Sequence, residues 1–380
     1  MEAAELDAML GSDAAAREES WRYSRNALRA LTQQPFAVAD AAAAPPADLL
    51  ARCAWPETDG ARLVFVNGVY APAYSHVRAS NADVQIAHED GRCVLRVRNA
   101  SQRLIHIVHA NVPGAAAARW SAALRIELEQ GSADVIEQHI GVHGDEMFGA
   151  LHAQWHVGVA ACLRVIVITD LPDTVSLYRH EQVRVAANAR YRATHALFGG
   201  RLQRLDLCTD LAEAGARCEQ CGVFAPRGRE HIDVQLDVRH AARDCASDVL
   251  WRGVADQRGR GILRGAITVA AGADGADAQL QTRNLLLSPH AEIDAQPVLE
   301  IYADEVKASH GATVGQLDPL ALFYLRSRGV PLLQARALLL SGFCREALQQ
   351  AADLPLAARL EALLATRLPQ TQGAVDEVHA

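Results

Sequence analysis

The sequence predicts a mainly β protein, a β-solenoid with helical regions at both ends. Three observations predict it. From residue 61 to Leu287, short strand-like stretches follow one another at roughly 11–15 residue spacing, each ended by turn residues. Their apolar content is Ala, Val, Leu and Ile, with aromatics only 5% of the chain. Helical periodicity is confined to the two ends. Uneven turns and a small-residue interior suit rungs that stack on their neighbours better than a sandwich or barrel.

In chain order, residues 14–32 place Trp21, Ala27, Leu28 and Leu31 at near-helical spacing, with Pro35 beyond, and predict an amphipathic helix. Residues 36–60, with Pro45-Pro46, read as a linker plus a short helix, so 1–60 forms an N-terminal helical region. The β core spans 61–317. It opens with Leu63, Phe65 and the Asn67-Gly68 turn. Strands follow at 84–97, 104–109, 121–130, 134–142, 155–169, 175–187 and 191–198 and continue to Leu287. Turns are expected at Asn188, Gly199-Gly200, Gly215, Pro226–Gly228, Gly259, Gly261 and Gly272–Gly275. A C-terminal helical domain spans 318–368. Asp318 is an N-cap, Pro319 suits the first helical turn and Gly329 ends the helix. Further helices are expected at 331–350 and 354–368, and 369–380 reads as a flexible tail. The stripes Leu332, Ala335, Leu338, Leu339 and Leu356, Leu360, Leu363, Leu364 exceed what one short hairpin buries. They pack on each other and the solenoid end, or they dock onto another protein. A stack exposes its end rungs, and the helical ends are the expected cover.

A chain of 380 residues, half of them hydrophobic, can bury a large core. A formal charge of −8 argues against general nucleic-acid binding. The basic residues Arg184, Arg190, Arg192, Arg201 and Arg204 read as a solvated strand face. The start, MEAAELDAML, is not a secretory signal, and no apolar run approaches the ~20 residues that span a bilayer. Eight cysteines without framework spacing suit a reducing cytoplasm.

Few motifs point to chemistry. Cys218 and Cys221 form one CxxC, but on a strand positions i and i+3 face opposite ways, so both read as structural. His139/His143 and His152/His156 lie about 13 Å apart on strands, beyond chelation. Gly259–Gly265 misses GxGxxG by one position, and neither Walker A nor GxSxG occurs, so no catalytic activity is expected. The segment 300–329 stands apart. It joins a strand to a helix through the acidic pair Asp304 and Glu305, then Ser309-His310-Gly311, and closes on Arg326-Ser327-Arg328-Gly329. His310 is the candidate ligand, against the ordinary alternative of a structural histidine.

Residues 284–347 carry a resemblance: Asn284–Ser288, Pro297–Asp304, Ser309–Gly315, Phe323–Gly329 and Phe343. Glu19–Ser24, similar to a WRYT element, and Leu63–Gly68 support it. Together they resemble the SufB/SufD family of iron–sulfur cluster assembly proteins, on the SufD side, since SHGATVGQLD precedes the YLRSRG helix where SufB reads closer to HEA. The resemblance implies a right-handed β-helix between helical regions and a non-catalytic role in a cytoplasmic SUF complex. It implies a SufB-like paralogue paired through the last β-helix strands and a SufC-like ABC ATPase on the C-terminal helices. By the same resemblance His310 sits at the SufB interface, where a nascent iron–sulfur cluster or iron is held. A flavin (FAD) is compatible with the complex, but no motif here reads for it. Many relatives carry Cys two residues before this histidine, and here that position is Ala308. Sulfur ligands would then come from the partner, with the imidazole completing a mixed Cys/His set. The alternatives are a SufB-like scaffold that carries the cluster alone, or a structural adaptor for the ATPase.

Overall fold

The structure, a computed structural model, describes residues 21–53, 61–76, 84–89, 92–98, 100–348 and 357–368. The expected helix start at 14–20, Leu356 and the tail 369–380 lie outside the described residues. Two ten-stranded sheets face each other as a β-solenoid of about eight turns. One sheet runs β4 (Val84–Glu89), β5 (Arg92–Val97), β7 (Ala118–Leu128), β9 (Met147–Val157), β11 (Val175–Val185), β13 (Leu202–Leu211), β15 (His231–His240), β17 (Arg260–Val269) and β19 (Glu292–Ile301), with β1 (Ala37–Val38) beside β7. The other runs β3 (Val69–Tyr70), β2 (Ala61–Val66), β6 (Ala100–Asn111), β8 (Gly131–Gly141), β10 (Cys162–Leu171), β12 (Arg190–Gly199), β14 (Arg217–Phe224), β16 (Ala246–Ala255), β18 (Asp277–Leu286) and β20 (Lys307–Gly315).

Each turn contributes one strand to each sheet, so sequence neighbours lie in opposite sheets and all pairings after the first hairpins are parallel. A column of paired residues shows the repeat: Val135, Val165, Ala193, Gln220, Val249, Leu280 and His310, one per turn. Its first six members are buried, as are those of the column two residues back, Ala133, Leu163, Tyr191, Cys218, Ser247 and Ala278. These columns face the interior because side chains alternate along a strand. Each fully buried Val or Leu there contributes about 1.5–3 kcal/mol of hydrophobic stabilisation.

Several expectations need correction. The stretch 155–169 is not one strand: the chain turns at 158–161, with Ala160 at φ 55°, and splits into β9 and β10. The stretch 84–97 is an antiparallel hairpin, β4–β5. Gly261 is not a turn residue. It lies inside β17, and a Cβ there would sit 2.5 Å from the Phe224 ring. Of the basic residues expected on a solvated face, Arg184, Arg190 and Arg201 are exposed, but Arg204 is not. Arg204 is buried, 2.5 Å from Asp206 and 2.7 Å from Asp233, while Arg192 pairs with Glu219 at 3.0 Å.

The helices lie on the flanks rather than over the ends. Trp21 packs 5.5 Å from the Tyr178 ring with the Arg204 guanidinium over it, and Ser24 donates to Asp233, so the N-terminal element clips onto the outer face of β11, β13 and β15. Helix α1 (Arg25–Gln33) follows it, and α2 (Ala47–Arg52) covers Val64, Val66, Val108 and Ala110. At the other end come α3 (Pro319–Ser327), α4 (Leu332–Leu348) and α5 (Ala357–Arg367). Asp318 caps α3 by accepting from the Leu320 amide at 2.8 Å, and Gly329 takes φ 85°, as expected of a helix stop. Helix α4 buries Leu340, Cys344, Ala347 and Leu348 against Ile166, Phe198 and Val223 on the outer face of the second sheet, buries Ala335 as well, and leaves Leu338 exposed. The buried Arg252 bonds Glu346 at 2.7 Å, and Arg367 pairs with Asp170.

Candidate functional site at the open end

The two ends of the solenoid differ. At the first, the edge strands β3 and β4 belong to short antiparallel hairpins, which blunt an edge. At the last, β19 and β20 carry ten and nine residues, and no further strand pairs with them among the described residues. A row of unpaired backbone groups of that length is a template for another chain.

His310 stands in the middle of β20. It pairs in register with Leu280, so its ring lies on the interior-facing column, at the last rung, where it is exposed. Ala308, Ala312 and Val314 share that face, because alternate residues of a strand point the same way. The polar character rises toward this end: Thr282 and Asn284 occupy the interior face of β18, and Asn284 Nδ2 donates to the Thr313 carbonyl at 3.0 Å. The other motif residues do not join His310. Asp304 and Glu305 form the exposed bend before β20, and Glu305 lies roughly 16 Å along the chain from His310. Ser309 points to the opposite face.

The chain's own thiols are poorly suited to ligation at this site. Burial pushes Cys93 up to about 11 and Cys208, Cys221 and Cys344 up to about 12, and raises Cys162, Cys218 and Cys245 as well, so all seven are protonated at neutral pH. Cys218 and Cys221 face opposite sides of β14, inside and outside. After β20 in the chain, α3 and α4 expose Leu320, Phe323, Tyr324, Leu333 and Leu338, with Leu320 at 76% and Phe323 at 71%. Apolar side chains so exposed, and so close together in sequence, mark a surface for a partner.

A polar cluster inside the solenoid escaped the sequence reading. His109, Glu137, His139, Arg179, Glu181 and Tyr191 meet there, all buried. Attention to i,i+4 histidine pairs missed it, whereas its signal was Glu137 and His139 two apart on one strand face, with His109 one turn earlier.

Comparison with known proteins follows the same architecture. The model of the SUF system FeS cluster assembly SufBD core domain matches residues 106–343, well over half of the chain. The chain belongs to the SufBD family. It is 27% identical to the iron–sulfur cluster assembly protein SufD of Escherichia coli over 93% of this chain and 89% of that protein. It is 34% identical to an iron–sulfur cluster assembly SufBD family protein of Mycobacterium bovis, over 66% of this chain and 64% of the relative. Bacillus subtilis SufD is 34% identical over 36% of this chain and 31% of its own length. As a SufBD protein of SufD type, the chain is an iron–sulfur cluster assembly component, and the family match spans β6 through most of α4. No helix among the described residues is long and apolar enough to cross a membrane.

Proposed function

We propose that this chain is the non-catalytic SufD-type subunit of a cytoplasmic SUF complex. Its open end pairs with a SufB-like paralogue, α3 and α4 carry a SufC-like ABC ATPase, and His310 offers its imidazole to the nascent cluster or iron at the paired ends. The observation that carries the reading is the position of His310 on an interior-facing column of a long final strand whose outer edge has no partner among the described residues. A second β-helix added there would continue both sheets and enclose the ring. His310 would then face a shared interior that excludes water, where an imidazole can complete a thiolate-rich ligand set. With Ala308 in the column beside it and the chain's buried thiols held protonated, the sulfur ligands come from the partner.

The exposed Leu320, Phe323 and Tyr324 would bury against the ATPase. ATP-driven closure of two ATPase subunits would pull on the helices of both paralogues and shift the shared interface between two arrangements. Arg252–Glu346 and Arg367–Asp170 tie α4 and α5 to the second sheet, the sheet that ends in β20, and so link the pull to the site.

The test is anaerobic co-purification with SufB- and SufC-like partners, with iron, sulfide and visible spectrum compared for wild type and His310→Ala. An intact complex with several-fold less iron in the variant is expected. Equal iron in both would make the chain an adaptor for the ATPase, and failure of wild type to form a complex would sink the partner assignment.

A further inference from the structure

Near the opposite end of the interior lies a cluster that the open-end site does not use. His109 on β6 and Glu137 and His139 on β8 place one potential ligand atom each within 4.8 Å of one another, and none is more than 1% exposed. Glu137 Oε1 lies 2.7 Å from His139 Nε2 and 3.5 Å from His109 Nε2, and Arg179 Nη1 donates to the same oxygen at 2.5 Å. Arg179 Nη2 also donates to Glu181, which accepts from the Tyr191 hydroxyl at 2.8 Å.

Two features are left unexplained by packing. Both ring nitrogens of His109, Nδ1 of His139 and Oε2 of Glu137 are buried without a hydrogen-bond partner, a costly state in a dry interior. Two carboxylates, those of Glu137 and Glu181, also share the one Arg179 guanidinium. Each ring keeps at least one buried nitrogen that no protein group satisfies. A neutral imidazole is the form that ligates metals. His109 does stack on Phe65 at 5.1 Å and on His139 at 4.6 Å, which accounts for the ring planes but not for the unpartnered atoms.

We infer that His109, Glu137 and His139 form a buried site for one divalent first-row transition ion. Two imidazoles and one carboxylate suit Fe(II), Co(II) or Zn(II) better than Mg(II) or Ca(II). Bonds of about 2.0–2.2 Å set ligand atoms roughly 3–3.5 Å apart. The Glu137–His109 distance of 3.5 Å already fits, Glu137 and His139 at 2.7 Å would open slightly, and the two rings, with all ligand atoms within 4.8 Å of one another, would close in. The ion takes the place of the proton between His139 Nε2 and Glu137 Oε1, and that proton moves to the unpartnered Nδ1 of the same ring. Arg179 holds the carboxylate from behind, as outer partners of metal ligands do. The site lies six strand steps from β20, roughly 29 Å from His310, and does not depend on the reading of the open end.

Co(II) is the probe. It is supplied during expression, so that the ion can enter before the interior closes, and is also titrated anaerobically into the purified, chelator-treated chain. The expected result is one tightly held equivalent in wild type and in His310→Ala, with a visible spectrum of nitrogen and oxygen ligation. Glu137→Gln and His139→Gln, folded by circular dichroism, should hold it at least tenfold more weakly. Anomalous diffraction from Co(II)-loaded wild-type crystals needs no variant and should place the ion between His109 and His139. Absence of stoichiometric cobalt in wild type by both routes, unchanged binding in the folded variants, or an anomalous peak only elsewhere would each overturn the assignment.

Discussion

His195 and His240 show what this interior demands of single residues. Both are fully buried, and desolvation depresses each ring to about 4. An unfolded histidine protonates near pH 6.5. Between pH 6.5 and 4 the unfolded chain therefore binds protons that the folded chain refuses, and stability falls as pH falls through that window. Each of the two histidines should cost about 2 kcal/mol by pH 5. Thermal melts at pH 7.5 and pH 5 should show a clear drop, smaller in a folded His195→Gln variant. A melting temperature flat over that range would mean that these rings charge within the folded state. His240 lies 2.8 Å from Ser247 Oγ across the interior, whereas neither ring nitrogen of His195 has such a partner. None of this was legible in the sequence. A histidine's burial here depends on which sheet face its turn assigns it, and composition gives no hint of that.

At the scale of elements, α4 is held by an apolar stripe and by the Arg252–Glu346 pair, while Arg367–Asp170 ties α5. Leu340, 1% exposed, sits among Phe198, Val223 and Val254 of the second sheet. Leu340→Ala should cost about 2–4 kcal/mol of docking free energy. Because α4 and α5 lie outside the solenoid, that loss should appear locally: amide exchange should quicken over 332–348 and 357–367 while β8 to β16 stay protected. Equal loss of protection in the strands would show that the helices and solenoid unfold as one unit. The helix boundaries were legible, since Asp318, Pro319 and Gly329 act through local backbone chemistry. The face that α4 buries was legible only in part. Of the stripe Leu332, Ala335, Leu338 and Leu339, Ala335 is buried, but the residues set against the sheet include Leu340 and Cys344, and Leu338 is left for solvent or a partner. The strand at 155–169 failed for a similar reason. Its turn at Val159-Ala160 carries no Pro, Asn or Asp, and Gly158 alone was too weak a break against apolar neighbours.

For the whole molecule, the decisive property is asymmetry: one end is blunted by hairpins and the other is an unfinished stack. The repeat itself was legible as periodic strands and turns. The uncovered end was not, because the terminal helices looked apolar enough to cap it, whereas they bury that surface along the flank. If the last rung is an assembly face, a charge on its interior column should be harmless alone and prohibitive in the complex. Ala312 is exposed, faces the interior and pairs only with Thr282 on β18 among the described residues. Ala312→Asp leaves the carboxylate in water in the free chain, so its melting temperature should stay within about a degree of wild type, as for other surface changes below ~0.5 kcal/mol. In a paired end the same carboxylate would be desolvated without a counter-charge, at a cost of several kcal/mol, enough to weaken pairing a thousandfold or more. Co-purification with a SufB-like partner, and size-exclusion of the chain alone for self-pairing, read the result directly. A complex that forms equally well with Ala312→Asp would place the partner on another surface and leave His310 on a solvent-facing edge, where a nascent cluster would have no protection from water.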